Sequence, residues 1–449
     1  MSGPSEGDAT PITSVRQLVE YVAGGAKPRG AWRIGTEHEK FVFRRSDLSP
    51  APYEAPDGIR ALLEGHLSHG WQPVRDGRAI VGLSRGRANV SLEPGGQFEL
   101  SGAPLADLHE TKAELELHLA EARSVADRLG LGFLPLGFHP LAAREAMPWM
   151  PKSRYAIMRR YMPTKGRLGL DMMLRTCTVQ VNLDAEDERD MVEKFRIGLA
   201  LQPVAIALFA NSPFTEGRPN GYQSFRAQVW TDTDPDRCGI PSVVFEDGFG
   251  YERWVDWVLD VPMFFVQRQG RYIDVAGQSF RDFLAGRLGA ETEGATPTIG
   301  DFADHLTTIF TEVRLKRYLE MRGADAGSPE MILALPALWV GLLYDPGAQA
   351  EAAALIRDQP CRDWQTLHRE VPRFGLSAPF CDTTVRWLAR EMVAIARRGL
   401  IARGLGEEVY LAPLEEIVAK GRTQASHWLE RCDQAWGGDV RRVFEDAAL

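Results

Sequence analysis

Gly35-Thr36-Glu37-His38-Glu39-Lys40-Phe41-Val42-Phe43 alternates residue by residue, and in a strand that period places Glu37, Glu39, Phe41 and Phe43 on one face. An isolated Glu-x-Glu on a strand reads as a solvated face with carboxylates in water. Here the same face turns aromatic, which puts Glu37 and Glu39 at the rim of a cavity. Residues 31–45 are therefore expected to form a strand of a sheet with one wet face.

Working outward, Glu93 and Glu99 flank Pro94-Gly95-Gly96, a turn tight enough to bring both carboxylates to one side. Residues 77–101 read as several short strands joined by Gly turns. Along 175–183, Cys177, Val179, Val181 and Leu183 share an apolar face, while Thr176, Thr178, Gln180 and Asn182 share a polar one. That pattern fits a strand with one face on the core and one on a wet cavity. Residues 314–321 read as a further strand, with Glu320 and Arg322 on a common face. Helical spacing predicts helices over 15–23, with Ser14 as the cap, over 105–129, 188–209 and 299–310, and almost throughout 328–449. Residues 148–169 read as a loop and 211–236 as an extended polar stretch. Strands and helices mingle without βαβ regularity, so the expected class is α+β, an antiparallel sheet with a helical C-terminal layer. The expected organisation is a flexible segment 1–30 carrying a short helix, its first twelve residues disordered, followed by one domain over 31–449.

The 449 residues are 44% hydrophobic and 25% charged, the usage of a folded chain. A formal net charge of −9 and the lack of a long basic run argue against a nucleic-acid groove or an anionic membrane as partner. Cys177, Cys238, Cys361, Cys381 and Cys432 form no Cys-x-x-Cys pair. Such scattered thiols suit a reducing compartment, and the first thirty residues do not read as a secretory signal, so a cytoplasmic protein is expected. The most apolar runs, 197–210 and 333–344, each carry a proline and fall short of the roughly 18 residues of a membrane span. They are expected to be buried helices.

Familiar motifs fail. No phosphate-binding Gly-x-x-x-x-Gly-Lys, no Gly-x-Gly-x-x-Gly and no His-Glu-x-x-His occurs. Gly82-Leu83-Ser84-Arg85-Gly86 matches a nucleophile elbow, but strand-like text follows it where a helix is required, so it reads as a hairpin turn. The glutamates carry more. If Glu37, Glu39, Glu93, Glu99 and Glu320 converge, each pair about 7 Å apart repels by about 2 kcal/mol at an effective dielectric near 20. Cations relieve that repulsion, and an all-oxygen set favours Mg²⁺ or Mn²⁺ over zinc. Arg322 beside Glu320 offers a fork for a phosphoryl oxygen. The residues alone thus point to a Mg²⁺–nucleotide enzyme without a phosphate-binding loop.

The segments IGTEHEKFVF (34–43), SLEPGGQFELSGAP (91–104), LGLDMMLRTCTVQVNLD (168–184), ALFANSPFTEGRPNGY (207–222), WTDTDPDR (230–237) and EVRLKRYLEMRGAD (312–325) resemble the plant and proteobacterial type of glutamate–cysteine ligase. The resemblance implies a glutamine-synthetase-like fold, a curved antiparallel sheet forming a funnel with helices outside. It implies synthesis of γ-glutamylcysteine from glutamate, cysteine and ATP, the first step towards glutathione, with small-molecule partners and a monomer or weak homodimer. Metal ligands would fall on Glu37, Glu39, Glu93, Glu99 and Glu320, with Gln180 at a position where distant relatives place a histidine. Arg322 would meet the ATP phosphates and Arg226 the glutamate α-carboxylate. Thr176, Met172 and Met173 would line the glutamate pocket, with Trp230 and Tyr272 approaching the substrates. Plant members carry regulatory cysteine pairs, and here Val275 and Leu333 stand where cysteines would be aligned. Alternatives at this stage are a carboxylate–amine ligase using another amine or serving another thiol such as ergothioneine, and a metal-dependent phosphotransferase.

Overall fold

The computed structural model describes residues 7–289, 292 and 294–449. Its centre is a nine-stranded sheet. The strands are β1 (Ile34–Arg44), β2 (Gln72–Asp76), β3 (Ala79–Arg85), β4 (Ala88–Leu92), β5 (Phe98–Ser101), β6 (Leu131–Leu134) and β7 (Thr178–Leu183). After the small hairpin β8 (Phe265–Arg268) and β9 (Arg271–Asp274) come β10 (Val313–Leu315) and β11 (Leu319–Asp325). The order is β10-β11-β7-β1-β5-β4-β3-β2, antiparallel throughout, and β6 pairs with the far end of β1.

β1 is the hub because it is long enough to serve three neighbours. Its start pairs with β7, its middle with β5, and Phe41–Arg44 with β6. The alternation expected of β7 holds: Val179, Val181 and Leu183 are fully buried in the main core, and Cys177 in a smaller one.

Around the sheet lie α1 (Val15–Ala23), α2 (Leu108–Leu129), α3 (Ser153–Tyr161), α4 (Gly169–Arg175), α5 (Glu188–Leu208), α6 (Phe225–Trp230), α7 (Ile299–Thr307), α8 (Pro329–Leu343), α9 (Cys361–Phe374) and α10 (Val385–Arg403). α2 starts where Asp107 accepts the Glu110 N–H and stops at Gly130, whose φ of 67° suits glycine. The apolar runs become α5 and α8, each with an internal proline and each packed into the main core. Among the described residues no single helix is long and apolar enough to cross a membrane.

Four local expectations need correction. The supposed loop over 148–169 contains α3, held by the buried side chains Tyr155, Ile157, Met158 and Tyr161 in a second core. The polar stretch 211–236 contains α6, capped by Ser224 accepting from the Ala227 N–H. The strand expected over 314–321 is two strands, β10 and β11, turned back at 316–318 so that Arg314 pairs with Glu320. Finally, the N-terminal segment is tied down within the expected disorder of 1–12. Asp8 accepts the Gly300 N–H, Thr10 accepts the Ile299 N–H, and Ile12 donates to the Pro297 carbonyl. Residues 1–6 lie outside the described residues.

Candidate active site

On the polar face of β1, β5 and β7 opens a cleft. Glu37 and Glu39 enter it from β1, Glu99 from β5, Glu93 from the turn after β4, and Gln180 and Thr178 from β7. Period-2 geometry delivers them, and the register completes the wall: Glu39 faces Glu99 across the β1–β5 ladder, and Glu37 faces Gln180 across β1–β7. The turn that carries Glu93 closes through Gly96 N–H to the Glu93 carbonyl, with Gly96 at φ 86°. At Gly95 an added Cβ would lie 2.3 Å from the Leu174 carbonyl oxygen, so glycine is required where the turn meets α4.

Each strand carboxylate has one firm donor. Asn182 Nδ2 donates to Glu37 Oε1 at 2.8 Å, the Thr178 N–H to Glu39 Oε2 at 2.9 Å, and Ser91 Oγ to Glu99 Oε2 at 2.6 Å. Burial, then the neighbouring charges of Glu99 and Glu93, push the Glu39 carboxyl well above the usual range. Glu37 is raised by burial and by Glu320 and Glu99. The carboxylates therefore sit together against their own repulsion.

One side of the cleft is cationic: Arg154, Arg226, Arg314, Lys316 and Arg322 line it. Glu320 is fully buried beneath three of them. Its Oε1 accepts from Arg314 Nη2 at 2.6 Å and from Arg322 Nη1, and Lys316 Nζ lies 2.7 Å from Oε2. Burial alone would raise the Glu320 carboxyl, but Arg314, Lys316 and Arg322 hold it well below the usual range. Glu320 is not among the side chains lining the cleft, and it serves here as the counter-charge of the cationic wall. Gln180 likewise spends its amide oxygen on Arg322 Nη1 at 2.8 Å.

Arg226 is 3% exposed, with Nη1 and Nη2 donating to the Gly323 and Arg322 carbonyls at 3.0 and 2.9 Å. The Nε of Arg154, Arg226, Arg314 and Arg322 and the indole N–H of Trp230 are buried without a hydrogen-bond partner. Unpaired buried donors on this scale mark the seat of an anionic ligand. Thr176, Met172, Met173 and Trp230 line the cleft, as expected. Tyr272 does not: it packs edge-on against Phe265, which does.

Arg154, Arg314 and Lys316 escaped the sequence reading. For Arg314 and Lys316 the signal was present, since they alternate in step with Glu320 and Arg322. Arg154 lies on α3, where no helix was expected.

The donors suit a hard cation: all are oxygens, and burial and mutual repulsion keep Glu37 and Glu39 raised although Lys316 and Arg226 partly offset them. Among the described residues no three acidic, histidine or cysteine side chains converge on one metal-sized point.

Residues 33–446 match the family described as Glutamate-cysteine ligase family 2. A chloroplastic glutamate–cysteine ligase of Nicotiana tabacum is 52% identical over 98% of this chain and 83% of its own length. That of Arabidopsis thaliana is 51% identical over the same shares. Among solved structures, the glutamate–cysteine ligase of Francisella tularensis in complex with AMP superimposes with a TM-score of 0.52 at 14% identity, over 92% of this chain and 88% of that one. It shares the fold, an antiparallel sheet flanked by helices. The cytoplasmic expectation is contradicted by the names of the relatives, which are chloroplastic enzymes 50–52% identical to the chain. Scattered thiols do not distinguish one reducing compartment from another.

Proposed function

The chain belongs to Glutamate-cysteine ligase family 2, and on that premise we propose that this cleft is where glutamate, cysteine and ATP react. The enzyme is an ATP-dependent ligase that joins the γ-carboxylate of glutamate to the amine of cysteine, giving γ-glutamylcysteine, ADP and phosphate in glutathione biosynthesis. The reading is supported by one observation: clustered carboxylates and arginines whose buried Nε atoms lack partners line the same cleft.

Glu37, Glu39, Glu93 and Glu99 are the residues that would hold Mg²⁺ or Mn²⁺, which when bound neutralises phosphate and carboxylate charge. Arg322 and Arg314, pinned by Glu320, receive phosphoryl oxygens, where charge builds as the γ-phosphoryl group passes to the glutamate carboxylate. Arg226 receives the α-carboxylate of glutamate through its free hydrogens, while the β11 carbonyls fix its plane. Thr176, Met172, Met173 and Trp230 close round the amino-acid chain and exclude water from the acyl phosphate. The cysteine amine then displaces phosphate, with positioning and electrostatics as the protein's contribution.

Phosphate release from ATP, measured with glutamate or cysteine left out in turn, tests this reading. Steady release is expected when both are present. Release without glutamate, or transfer to a hydroxyl acceptor, would instead identify a phosphotransferase, and equal turnover with unrelated amines a broader ligase.

A further inference from the structure

Beside the cleft, Glu312 and His368 form a buried pair. His368 Nε2 lies 2.8 Å from Glu312 Oε1, and the residues are 6% and 7% exposed. Nothing in the ligase chemistry above uses them. Glu312 sits in the connection into β10, and its backbone carbonyl accepts the Arg322 N–H. With Arg226, Arg322 and Trp230 its side chain encloses a small side cavity opening off the cleft. Glu312 also presses on the strand that holds Arg226. A Cβ added at Gly323 would lie 2.6 Å from Glu312 Oε2, and Gly323 supplies the carbonyl that Arg226 Nη1 meets.

His368 comes from α9, in the C-terminal helical layer, and the same helix reaches Arg226 by a second route. The Pro372 carbonyl, one turn beyond His368, accepts the N–H groups of Gln223 and Ser224 at 2.9 and 3.0 Å. Ser224 caps α6, the short helix bearing Arg226. One helix therefore sets both where α6 begins and which charge faces the guanidinium at its side.

We propose that His368 and Glu312 are positioning residues for Arg226, so that the C-terminal helical layer sets the affinity of the cleft for the carboxylate of its amino-acid substrate. The inference rests on the reading of Arg226 as the glutamate clamp. Without His368, the Glu312 carboxylate loses its hydrogen-bond partner, keeps Arg226 and Arg322 as neighbouring charges, and draws Arg226 off the β11 carbonyls into the side cavity. The charge remains and moves its partner, because a buried carboxylate left short of a donor takes the nearest one.

The test measures KM for glutamate, KM for cysteine, kcat and thermal midpoint in His368→Leu, His368→Gln, Arg226→Ala and the His368→Leu/Arg226→Ala double variant. His368→Leu is expected to raise KM for glutamate by about tenfold, with cysteine KM and kcat nearly unchanged. His368→Gln, which retains a donor, should recover most of that loss, and the double variant should be no worse than Arg226→Ala alone. Should the leucine variant not fold, His368→Asn, too short to span to Glu312, carries the same expectation. A glutamate KM unaltered by His368→Leu while Arg226→Ala raises it overturns the positioning role alone. So does a decline of every parameter in step with the thermal midpoint that His368→Gln fails to rescue. An unaltered glutamate KM in Arg226→Ala overturns the clamp, and the positioning role with it.

Discussion

Glu39 on β1 stands directly opposite Glu99 on β5, two carboxylates 9% and 5% exposed that face each other across an antiparallel ladder. Like charges in register weaken a sheet, and a structure that keeps them does so for a ligand.

Glu39→Gln should therefore have opposite effects on stability and turnover. Removing one charge relieves Glu99 and is expected to stabilise the metal-free protein by about 1 kcal/mol. The same change removes a ligand charge from the proposed cation and should lower kcat at saturating Mg²⁺ by on the order of a hundredfold. Thermal unfolding without divalent ions, alongside steady-state kinetics, reads both; full activity in the variant would show that the Glu39 carboxylate is not used.

Arg226 and Arg322 lie next to each other, yet their roles separate in kinetics. Arg226→Ala should act mainly on KM for glutamate, because a carboxylate clamp contributes alike to ground and transition states. Arg322→Ala should act mainly on kcat, since phosphoryl charge develops only as the bond breaks, and it also strips a cation from buried Glu320. Initial rates over a glutamate series at saturating ATP distinguish them. An exchange of the two effects would reverse the assignment.

Turnover should be insensitive to thiol reductants. All five cysteines are free, and Val275 and Leu333 occupy positions where plant relatives are expected to carry cysteine. Cys177 is fully buried, and burial pushes its thiol well above the usual range; Cys238 is pushed up to about 12. Neither offers a thiolate. Activity after poising in oxidised and reduced buffers should agree within twofold, roughly the scatter of such assays. A reversible several-fold change that tracks one disulfide band on a non-reducing gel would contradict this.

His305 predicts a specific loss of stability in mild acid. Burial lowers it to about 4, and its Nε2 is held 2.9 Å from the Val258 carbonyl, so the folded protein keeps the ring neutral. The unfolded chain protonates it at its ordinary 6.5, so the unfolded state binds more protons across the window from 6.5 down to about 4. Stability is thus complete above pH 6.5 and declines as pH falls, by about 2 kcal/mol at pH 5 from this group. His305→Gln, which can keep the donor to Val258, should flatten that part of the curve in thermal melts between pH 8 and 5. Parallel curves for the two proteins would exclude the histidine as the cause.

What could be read along the chain was whatever depends on neighbours in sequence. A strand's side chains alternate, so Glu37 and Glu39 share a face with Phe41, and Thr178 with Gln180, wherever the strand lies. Turn chemistry is equally local: Pro94-Gly95-Gly96 announced the approach of Glu93 to Glu99, and Ser14 and Gly24 bounded α1 to the residue. Pairing is not local. That β1 takes β5 on one side and β7 on the other, bringing Glu39 to Glu99 and Glu37 to Gln180, depends on closing long loops over a common core. The same holds for charge state. Glu320 and Glu39 are both buried glutamates, and only packing decides that three cations surround the first while carboxylates crowd the second. α3 was missed because its apolar spacing is broken by Arg154, Arg159 and Arg160, and the core that receives Tyr155 and Met158 is assembled from distant strands. Alternation and turns follow from sterics between adjacent residues, whereas a side chain's partner and its dielectric surroundings follow from segments that meet only when the chain is folded.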